Sequence, residues 1–202
     1  MASKVIFHTI PEQIAAQLRR DILVGELKPD QPLREQEVAK SFGVSRGPIR
    51  EVFRQLTQQG LLISRPNKGV RVATQPSESI RPLIVELRIK IETFALASIF
   101  DQITDEDLTH WESILADIKE ACLTGDTAAL MDHDLRFHRA IIQSHSEKDL
   151  FAIWQPVAFR MLMHYTRLGD LMESYYEHKR ILDAIRERDL DAALEALKAN
   201  IQ

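Results

Sequence analysis

The spacing of apolar residues predicts helices at the start of the chain. Ile14, Leu18 and Ile22 recur every four residues and so share one face of a helix. Two shorter helical patterns follow, over about residues 34–42 and 45–59. Three successive helices, two of them short, are typical of a helix-turn-helix domain.

The third helix carries signals for its start and for its buried face. Ser45 is a residue type that accepts hydrogen bonds from a helix N-terminus, and Pro48 lies in the first turn, where a missing N–H costs nothing. Ile49, Phe53 and Leu56 form an apolar stripe. We therefore predict that Ser45 caps this helix and that the stripe packs into a core.

Two short strands are predicted after the third helix. Residues 61–65 and 70–74 are mostly apolar, and the intervening Pro66-Asn67-Lys68-Gly69 is a turn sequence. Three helices followed by a hairpin predict a winged helix-turn-helix.

The rest of the chain is helical by pattern. Gln75-Pro76-Ser77 marks a linker, and six helices are predicted beyond it, over residues 79–102, 105–123, 127–145, 148–168, 171–188 and 190–201. Thr104, Asp126 and Asp189 are the expected N-caps. The predicted fold is mainly α, with a winged helix-turn-helix at 1–74, a linker at 75–78 and an all-helical bundle at 79–202.

Charge is divided unevenly between these two parts. Residues 1–74 hold 12 Lys and Arg against 7 Asp and Glu, whereas residues 75–202 hold 14 against 23, in a chain of formal net charge −4. Between Lys40 and Arg71, seven residues are basic and one is acidic. Such a segment can be a merely solvated face, but a basic module joined to an acidic one favours a polyanionic partner such as DNA.

The amino-acid composition also indicates the cellular compartment in which the protein is expected. The sequence has no run of about 18 apolar residues, so neither a membrane span nor a membrane partner is expected. The N-terminus becomes polar too soon for a signal peptide. The single cysteine, Cys122, excludes an internal disulfide and is typical of a reducing compartment. We expect a cytoplasmic protein in which Cys122 is a small residue on a half-buried helix face.

The first candidate DNA contacts fall at the start of the third helix. Arg46 and Arg50 lie one turn apart where a recognition helix meets base edges, and a guanidinium can bond the O6 and N7 of guanine. Gly47 between them lets the backbone approach DNA. Ser45 can bond a phosphate, helped by the positive helix N-terminus.

Further candidate DNA contacts lie at the tip of the hairpin. Lys68 is expected at a phosphate or in the neighbouring minor groove, with Asn67 and Gly69 shaping the turn. For Arg54 and Arg65, a DNA contact and a solvated surface position remain equally open.

These residues resemble the GntR family of bacterial transcription regulators. The resemblance rests on Gly43-Val44-Ser45-Arg46-x-Pro48-x-Arg50-Glu51, which lies between Leu33 and Gly60-Leu61. It implies a DNA-binding function. Gln36 stands where some members of the family carry an arginine directed toward DNA, so the base preference of this chain is expected to differ from theirs.

The second part resembles the FCD ligand-sensing domain of the FadR-like branch of that family. The matching residues are Leu87-Arg88, Glu92, Ala95, Asp134-x-x-Phe137-His138, Glu177-His178-x-x-Ile181 and Ala184-Ile185. The resemblance implies an antiparallel helical bundle that binds an effector, with Arg88 near the effector cavity. A buried arginine suits a carboxylate clamp. A structural salt bridge from Arg88 to Glu92, one turn away, is the alternative, and the two roles are compatible.

Asp134, His138 and His178 are the candidate metal ligands. Asp134 and His138 share one face of a predicted helix, and a carboxylate with imidazoles suits zinc, nickel or manganese. By spacing alone, such a pair is more often an ordinary hydrogen bond on a helix surface.

The expected metal site departs from the family pattern at one position. The resemblance implies a third histidine about 22 residues after His178, where this chain has Asn200. An amide oxygen is a poorer zinc ligand than imidazole. Weaker metal binding, a harder metal, or a site that holds water and an organic ligand without metal all remain open.

We interpret the chain as a sequence-specific DNA-binding transcription regulator, with repression as the expected outcome. A small organic acid in the bundle is expected to modulate operator binding, and a homodimer is expected to read a two-fold operator. One alternative is a metal-dependent enzyme acting on a small carboxylate. The sequence offers no paired general base, nucleophile elbow or glycine-rich phosphate loop to support it, and no catalytic residue is expected. The other alternative is a structural DNA-binding protein without an effector.

Overall fold

The structure, a computed structural model, describes residues 9–66, 68–163 and 170–201. The chain divides into two compact units, at residues 1–75 and 76–202. Within the described residues, no helix combines the length and the apolar character that a membrane span requires.

The first unit is a winged helix-turn-helix, as predicted. Its described elements are α1 (Ile10–Leu23), β1 (Pro32–Leu33), α2 (Glu35–Phe42), α3 (Arg46–Gln58), β2 (Leu62–Arg65) and β3 (Gly69–Val72). Strand β3 lies between β1 and β2 and pairs antiparallel with both. Strand β1 was not predicted, because two residues carry no periodicity of their own and become a strand only by pairing with β3.

The apolar stripes predicted for α1 and α3 meet in the core of this unit. The buried side chains from the two helices include Ile14, Leu18, Ile22, Ile49, Val52, Phe53 and Leu56. Burial of each large side chain contributes about 1.5–3 kcal/mol. Gly43 ends α2 at φ 66°, in the left-handed region that glycine adopts readily, and so turns the chain into α3. Packing of one α3 face into the core leaves its opposite face exposed.

Ser45 occupies the N-cap position of α3, but its side chain makes no capping hydrogen bond to the described residues. A capping hydroxyl accepts from the N–H of the second or third helical residue. The third residue here is Pro48, which has no N–H. The predicted cap position is therefore right and the predicted cap bond is wrong. The Ser45 hydroxyl and the first N–H groups of α3 are left without this bond.

The second unit is a helical bundle. Its described helices are α4 (Arg81–Ile99), α5 (Asp105–Thr124), α6 (Thr127–Ser144), α7 (Lys148–Leu162), α8 (Met172–Arg186) and α9 (Leu190–Ile201). Most bounds agree with the predicted ones within two residues. Helix α7 ends at Leu162, with Met163 as its C-cap, and the predicted end at residue 168 lies outside the described residues.

Short connections and local caps position these helices. Two residues join α5 to α6 and three join α8 to α9, and each pair packs as a helical hairpin. Thr104, Asp126 and Asp189 each accept a backbone N–H at a helix start, as predicted. Trp111 and Phe137 lie among the largest buried side chains of the core.

Cys122 is also part of this core. It is 7 % exposed, and its Sγ donates to the carbonyl of Leu171 at 3.0 Å. This environment supports the structural interpretation of the residue.

Candidate DNA interface and candidate metal centre

The exposed face of α3 carries the two arginines predicted to read bases. Arg46, Gly47 and Arg50 are all exposed. A Cβ atom added at Gly47 would meet nothing within 4 Å. Within the described part of the first unit, no other residue therefore covers the start of α3 at Gly47.

Glu35, the first residue of α2, binds both arginines. Its Oε2 accepts from Nη2 of Arg46 at 3.1 Å and from Nη2 of Arg50 at 3.2 Å, and its Oε1 accepts from Nε of Arg50 at 3.3 Å. The hydrogen bond from Arg50 is the main reason that the pKa of the Glu35 carboxyl lies below its usual range.

Glu35 was not among the residues predicted from the sequence. An acidic residue in the first turn of a helix has an ordinary explanation in the helix dipole, and nothing local points to a contact 15 residues away. The residue that holds the two guanidinium groups thus lies outside the basic segment from Lys40 to Arg71 that was singled out from the sequence.

The wing contributes exposed basic residues beside this face. Lys68 and Gly69 are exposed, and Gly69 has φ 72°. Asn67 lies outside the described residues. Arg71 is engaged by Asp30 through two bonds of 2.9 and 3.2 Å, and this ion pair joins the sheet to the loop before β1.

The two arginines left open by the sequence both lie at the surface. Arg65 lies 3.7 Å from the same Asp30 carboxylate. Arg54 donates from Nη1 to Gln58 at 3.5 Å. Neither contact decides between a DNA role and a solvated position.

In the second unit, three helices each turn a pair of polar residues inward at one-turn spacing. The pairs are Arg88 and Glu92 on α4, Asp134 and His138 on α6, and Ser174 and His178 on α8, and all six residues are buried. Buried charges are costly unless they are paired. Their concentration at one place in the bundle makes it the candidate functional site of this unit.

Asp134, His138 and His178 converge on one point. Oδ1 of Asp134 lies 3.3 Å from Nε2 of His178 and 4.0 Å from Nε2 of His138. One potential ligand atom from each residue lies within 4.8 Å of the others. Two atoms that share an ion at about 2.1 Å are at most about 4.2 Å apart, and both distances to Asp134 satisfy this limit.

Hydrogen bonds at Nδ1 orient the rings of both His138 and His178. Nδ1 of His178 lies 2.7 Å from the carbonyl of Ser174, and Nδ1 of His138 lies 2.6 Å from Oε2 of Glu92. A carbonyl and a carboxylate can only accept, so each Nδ1 carries a hydrogen, and a ring without a second hydrogen presents an Nε2 lone pair.

The resulting donor set fits a cation. His178 Nε2 is buried and has no hydrogen-bond partner among the described residues, although the Asp134 carboxylate is close. Burial raises the pKa of Asp134, but His178, His138 and Arg88 outweigh that effect and hold it below the usual range. An ionised carboxylate and two imidazoles that carry no hydrogen on Nε2 are suitable ligands for a divalent metal.

Glu92 supports this cluster from α4. Its carboxylate accepts from Arg88 Nε at 2.7 Å and from Trp154 Nε1 at 2.6 Å, in addition to His138. Burial alone raises the pKa of Glu92, but the charges of Arg88 and His138 and these hydrogen bonds lower it to about 2. The salt bridge considered for Arg88 is therefore present. Arg88 also lies 3.9 Å from Asp134.

Asn200 lies beside the cluster. Its Nδ2 is 3.5 Å from Nδ1 of His178 and 3.5 Å from Glu177, so it approaches the nitrogen that already donates to Ser174. Its Oδ1 is buried without a hydrogen-bond partner among the described residues. The geometry brings three of the four candidate ligands together and places Asn200 at a different edge of the His178 ring.

Comparisons with known proteins agree with both halves of this description. Residues 10–72 match the model of bacterial regulatory proteins of the gntR family, and residues 83–202 match the FCD domain. An HTH-type transcriptional regulator of Bacillus subtilis (strain 168), YdhC, is 28% identical over 193 residues, covering 93% of this chain and 86% of the relative. The gluconate operon transcriptional repressor of Bacillus licheniformis is 28% identical over 198 residues, covering 93% and 80%.

A solved structure shares the fold. McbR/YncC of E. coli matches with a TM-score of 0.80 at 21% identity, over 97% of this chain and 95% of that one. The family and these relatives are transcriptional regulators, which sets aside the enzyme alternative. The chain belongs to the GntR family of bacterial transcription regulators and carries an FCD domain.

Proposed function

We propose that this repressor reads a two-fold operator as a homodimer, through Arg46 and Arg50, under the control of a small organic acid bound in the FCD bundle. The observation that carries the proposal is the pair of exposed guanidinium groups at the open N-terminus of α3. The major groove admits one helix, and its guanine edges match a guanidinium.

Other residues of the same face would fix the register on DNA. The Ser45 hydroxyl makes no cap bond, so it and the first N–H groups of α3 can bind a phosphate. Gly47 allows close approach, and Lys68 with Gly69 and Asn67 would contact the backbone from the wing. Such contacts position the protein without reading sequence.

Asp134, His138 and His178 would hold a divalent metal such as zinc, nickel or manganese. FCD domains often bind a metal, and the three converging donor atoms support this assignment. When bound, the ion would act as a Lewis acid that accepts an oxygen of the effector. Asn200 is not proposed as a ligand, because it lies beside the hydrogen-bonded Nδ1 of His178.

A small organic acid is the proposed effector. Arg88 is buried within 3.9 Å of Asp134, and its guanidinium suits a carboxylate bound next to the metal. The relative named as a gluconate operon repressor makes a hydroxy acid a reasonable first compound. The effector changes operator binding only by the difference between its affinities for the DNA-bound and free forms.

The surface of α4 supports the homodimer. Leu83, Leu87 and Phe94 lie on one stripe of this helix and are 54%, 40% and 59% exposed. The opposite side of α4 already packs in the bundle, so the described residues of this unit leave the stripe uncovered. A two-fold axis through the stripe would bury it against its own copy.

The test begins with selection of duplexes from a randomised DNA library by the full-length protein. Arg50→Ala should weaken binding to the enriched duplex by about 1–3 kcal/mol and relax the preference at one position. Arg180→Ala is the matched control, because Arg180 is similarly exposed and forms an ion pair with Glu173. Equal affinity of Arg50→Ala and wild type for the enriched duplex would refute the assignment.

A further inference from the structure

The carboxylate of Glu35 lies between the guanidinium groups of Arg46 and Arg50 and is less exposed than either side chain. The Glu35 side chain is 26% exposed, whereas those of Arg46 and Arg50 are 61% and 68% exposed. A single oxygen, Oε2, accepts from both arginines, so their tips must lie side by side. Without this acceptor, two like charges on one helix face would separate.

The contacts with Glu35 leave the reading edge of each arginine available. Arg50 donates through Nε and Nη2, which form the side edge of its guanidinium. The end of the group, formed by Nη1 and the second hydrogen of Nη2, still offers the two parallel donors that guanine O6 and N7 accept. Arg46 contacts Glu35 only through Nη2, so more of its N–H donors remain available to DNA bases than in Arg50. Glu35 can therefore hold both side chains while they bind bases.

We propose that Glu35 is a positioning residue that sets base discrimination by presenting Arg46 and Arg50 in a fixed arrangement before DNA binds. This inference rests on the proposed use of those arginines at the operator. An arginine that is already ordered loses less side-chain freedom on binding, and it fits one arrangement of guanines better than others.

The charge of Glu35 has a different effect on non-specific DNA binding, which it weakens. Non-specific affinity follows the number of phosphate charges that the protein neutralises. A carboxylate on this face cancels part of the charge of the two arginines and so weakens binding to any duplex. Glu35 thus lowers affinity for arbitrary DNA while it raises the ratio of specific to non-specific affinity.

Three variants of the full chain separate geometry from charge. Glu35→Gln removes the charge, Glu35→Asp keeps the charge on a shorter side chain, and Glu37→Gln removes a charge from the same turn of α2. Glu37 is a matched control because it pairs with Arg34 at 3.0 Å and not with the α3 arginines. Binding is measured on a duplex enriched by the wild-type protein and on a shuffled duplex of equal composition, at several salt concentrations.

We expect the affinity ratio between the two duplexes to fall about tenfold in both Glu35 variants, since fixing a long side chain is worth about a factor of 2 to 10. Glu35→Gln should also bind the shuffled duplex more tightly, whereas Glu35→Asp should bind it like wild type. Glu37→Gln should bind both duplexes more tightly at an unchanged ratio. Thermal melts followed by circular dichroism establish that each variant is folded.

Two results would overturn the inference. An unchanged ratio in Glu35→Gln and Glu35→Asp excludes a positioning role. A Glu35→Asp variant that behaves as wild type, beside a Glu35→Gln variant with a lower ratio, shows that charge alone is responsible. Failure of the proposed function itself gives a different pattern, because Arg50→Ala then keeps full affinity for the enriched duplex.

Discussion

Glu92 on α4 and His138 on α6 are joined by a hydrogen bond of 2.6 Å between Oε2 and Nδ1. The bond connects residues 46 positions apart and determines which nitrogen of His138 faces Asp134. A carboxylate in this position also makes the imidazole a stronger ligand. The proposed metal site therefore depends on four residues, and Glu92 is the one that is not a candidate ligand.

Replacement of Glu92 by glutamine should weaken metal binding. Loss of the carboxylate frees the His138 ring to adopt the other tautomer, and the affinity for zinc should fall about 10–100-fold. Competition with a chromophoric chelator measures this change. Glu86→Gln on the same helix is the control, since Glu86 is exposed and pairs with Lys90. Equal zinc affinities for the two variants would exclude an orienting role for Glu92.

Substitution of Asn200 by histidine should strengthen metal binding roughly tenfold or more, because it would add an imidazole ligand at a position where the amide supplies none. Asn200 already lies within 3.5 Å of the His178 ring, so a longer imidazole can reach the cluster. Zinc content after dialysis, measured by mass spectrometry, compares Asn200→His with wild type and with Asn200→Gln. Absence of metal from all three proteins would end the metal assignment.

Lys68→Ala should weaken DNA binding without changing sequence preference. The wing lysine is exposed, and a lost phosphate contact lowers the dependence of log K on log salt by about one unit. Titrations of the enriched and shuffled duplexes at several salt concentrations measure the slope. Lys148→Ala, in the bundle, is the control and should leave the salt slope unchanged. A selective loss on the enriched duplex would instead assign Lys68 to a base contact.

Two N-cap substitutions should affect stability differently. Thr104 forms a capping box with Asp107, with bonds of 3.2 and 3.0 Å, so Thr104→Ala should reduce the free energy of unfolding by about 1 kcal/mol. The Ser45 side chain makes no capping bond to the described residues, so Ser45→Ala should change the free energy of unfolding by less than about 0.5 kcal/mol. Urea denaturation measures both. A comparable loss for Ser45→Ala would mean that its hydroxyl does cap α3.

Leu87→Glu should shift the protein from dimer to monomer. Leu87 is 40% exposed on the apolar stripe of α4, so a charge there would be buried in the proposed interface while the single chain tolerates it. Sedimentation equilibrium measures the association state. Leu123→Glu, at a residue that is 69% exposed on α5, is the control. A dimer that persists in Leu87→Glu would place the interface elsewhere.

Local signals predicted the elements well because they depend on residues only a few positions apart. The helices, the turn at Gly43 and the caps at Thr104 and Asp126 all follow from such neighbours. The cap bond predicted for Ser45 failed for a reason also present in the sequence, since Pro48 removes the N–H that the hydroxyl would bond. Strand β1 has no local signal, because its two residues become a strand through β3.

The sequence by itself determined which side chains can do the chemistry: the arginines of α3, and the aspartate and histidines of the bundle. The tertiary structure alone decided how they are held. Glu35 binds Arg50 across 15 positions, and Glu92 orients His138 across 46. Such contacts arise when helices pack, and periodicity states which face a helix buries but not which residue of another helix it meets.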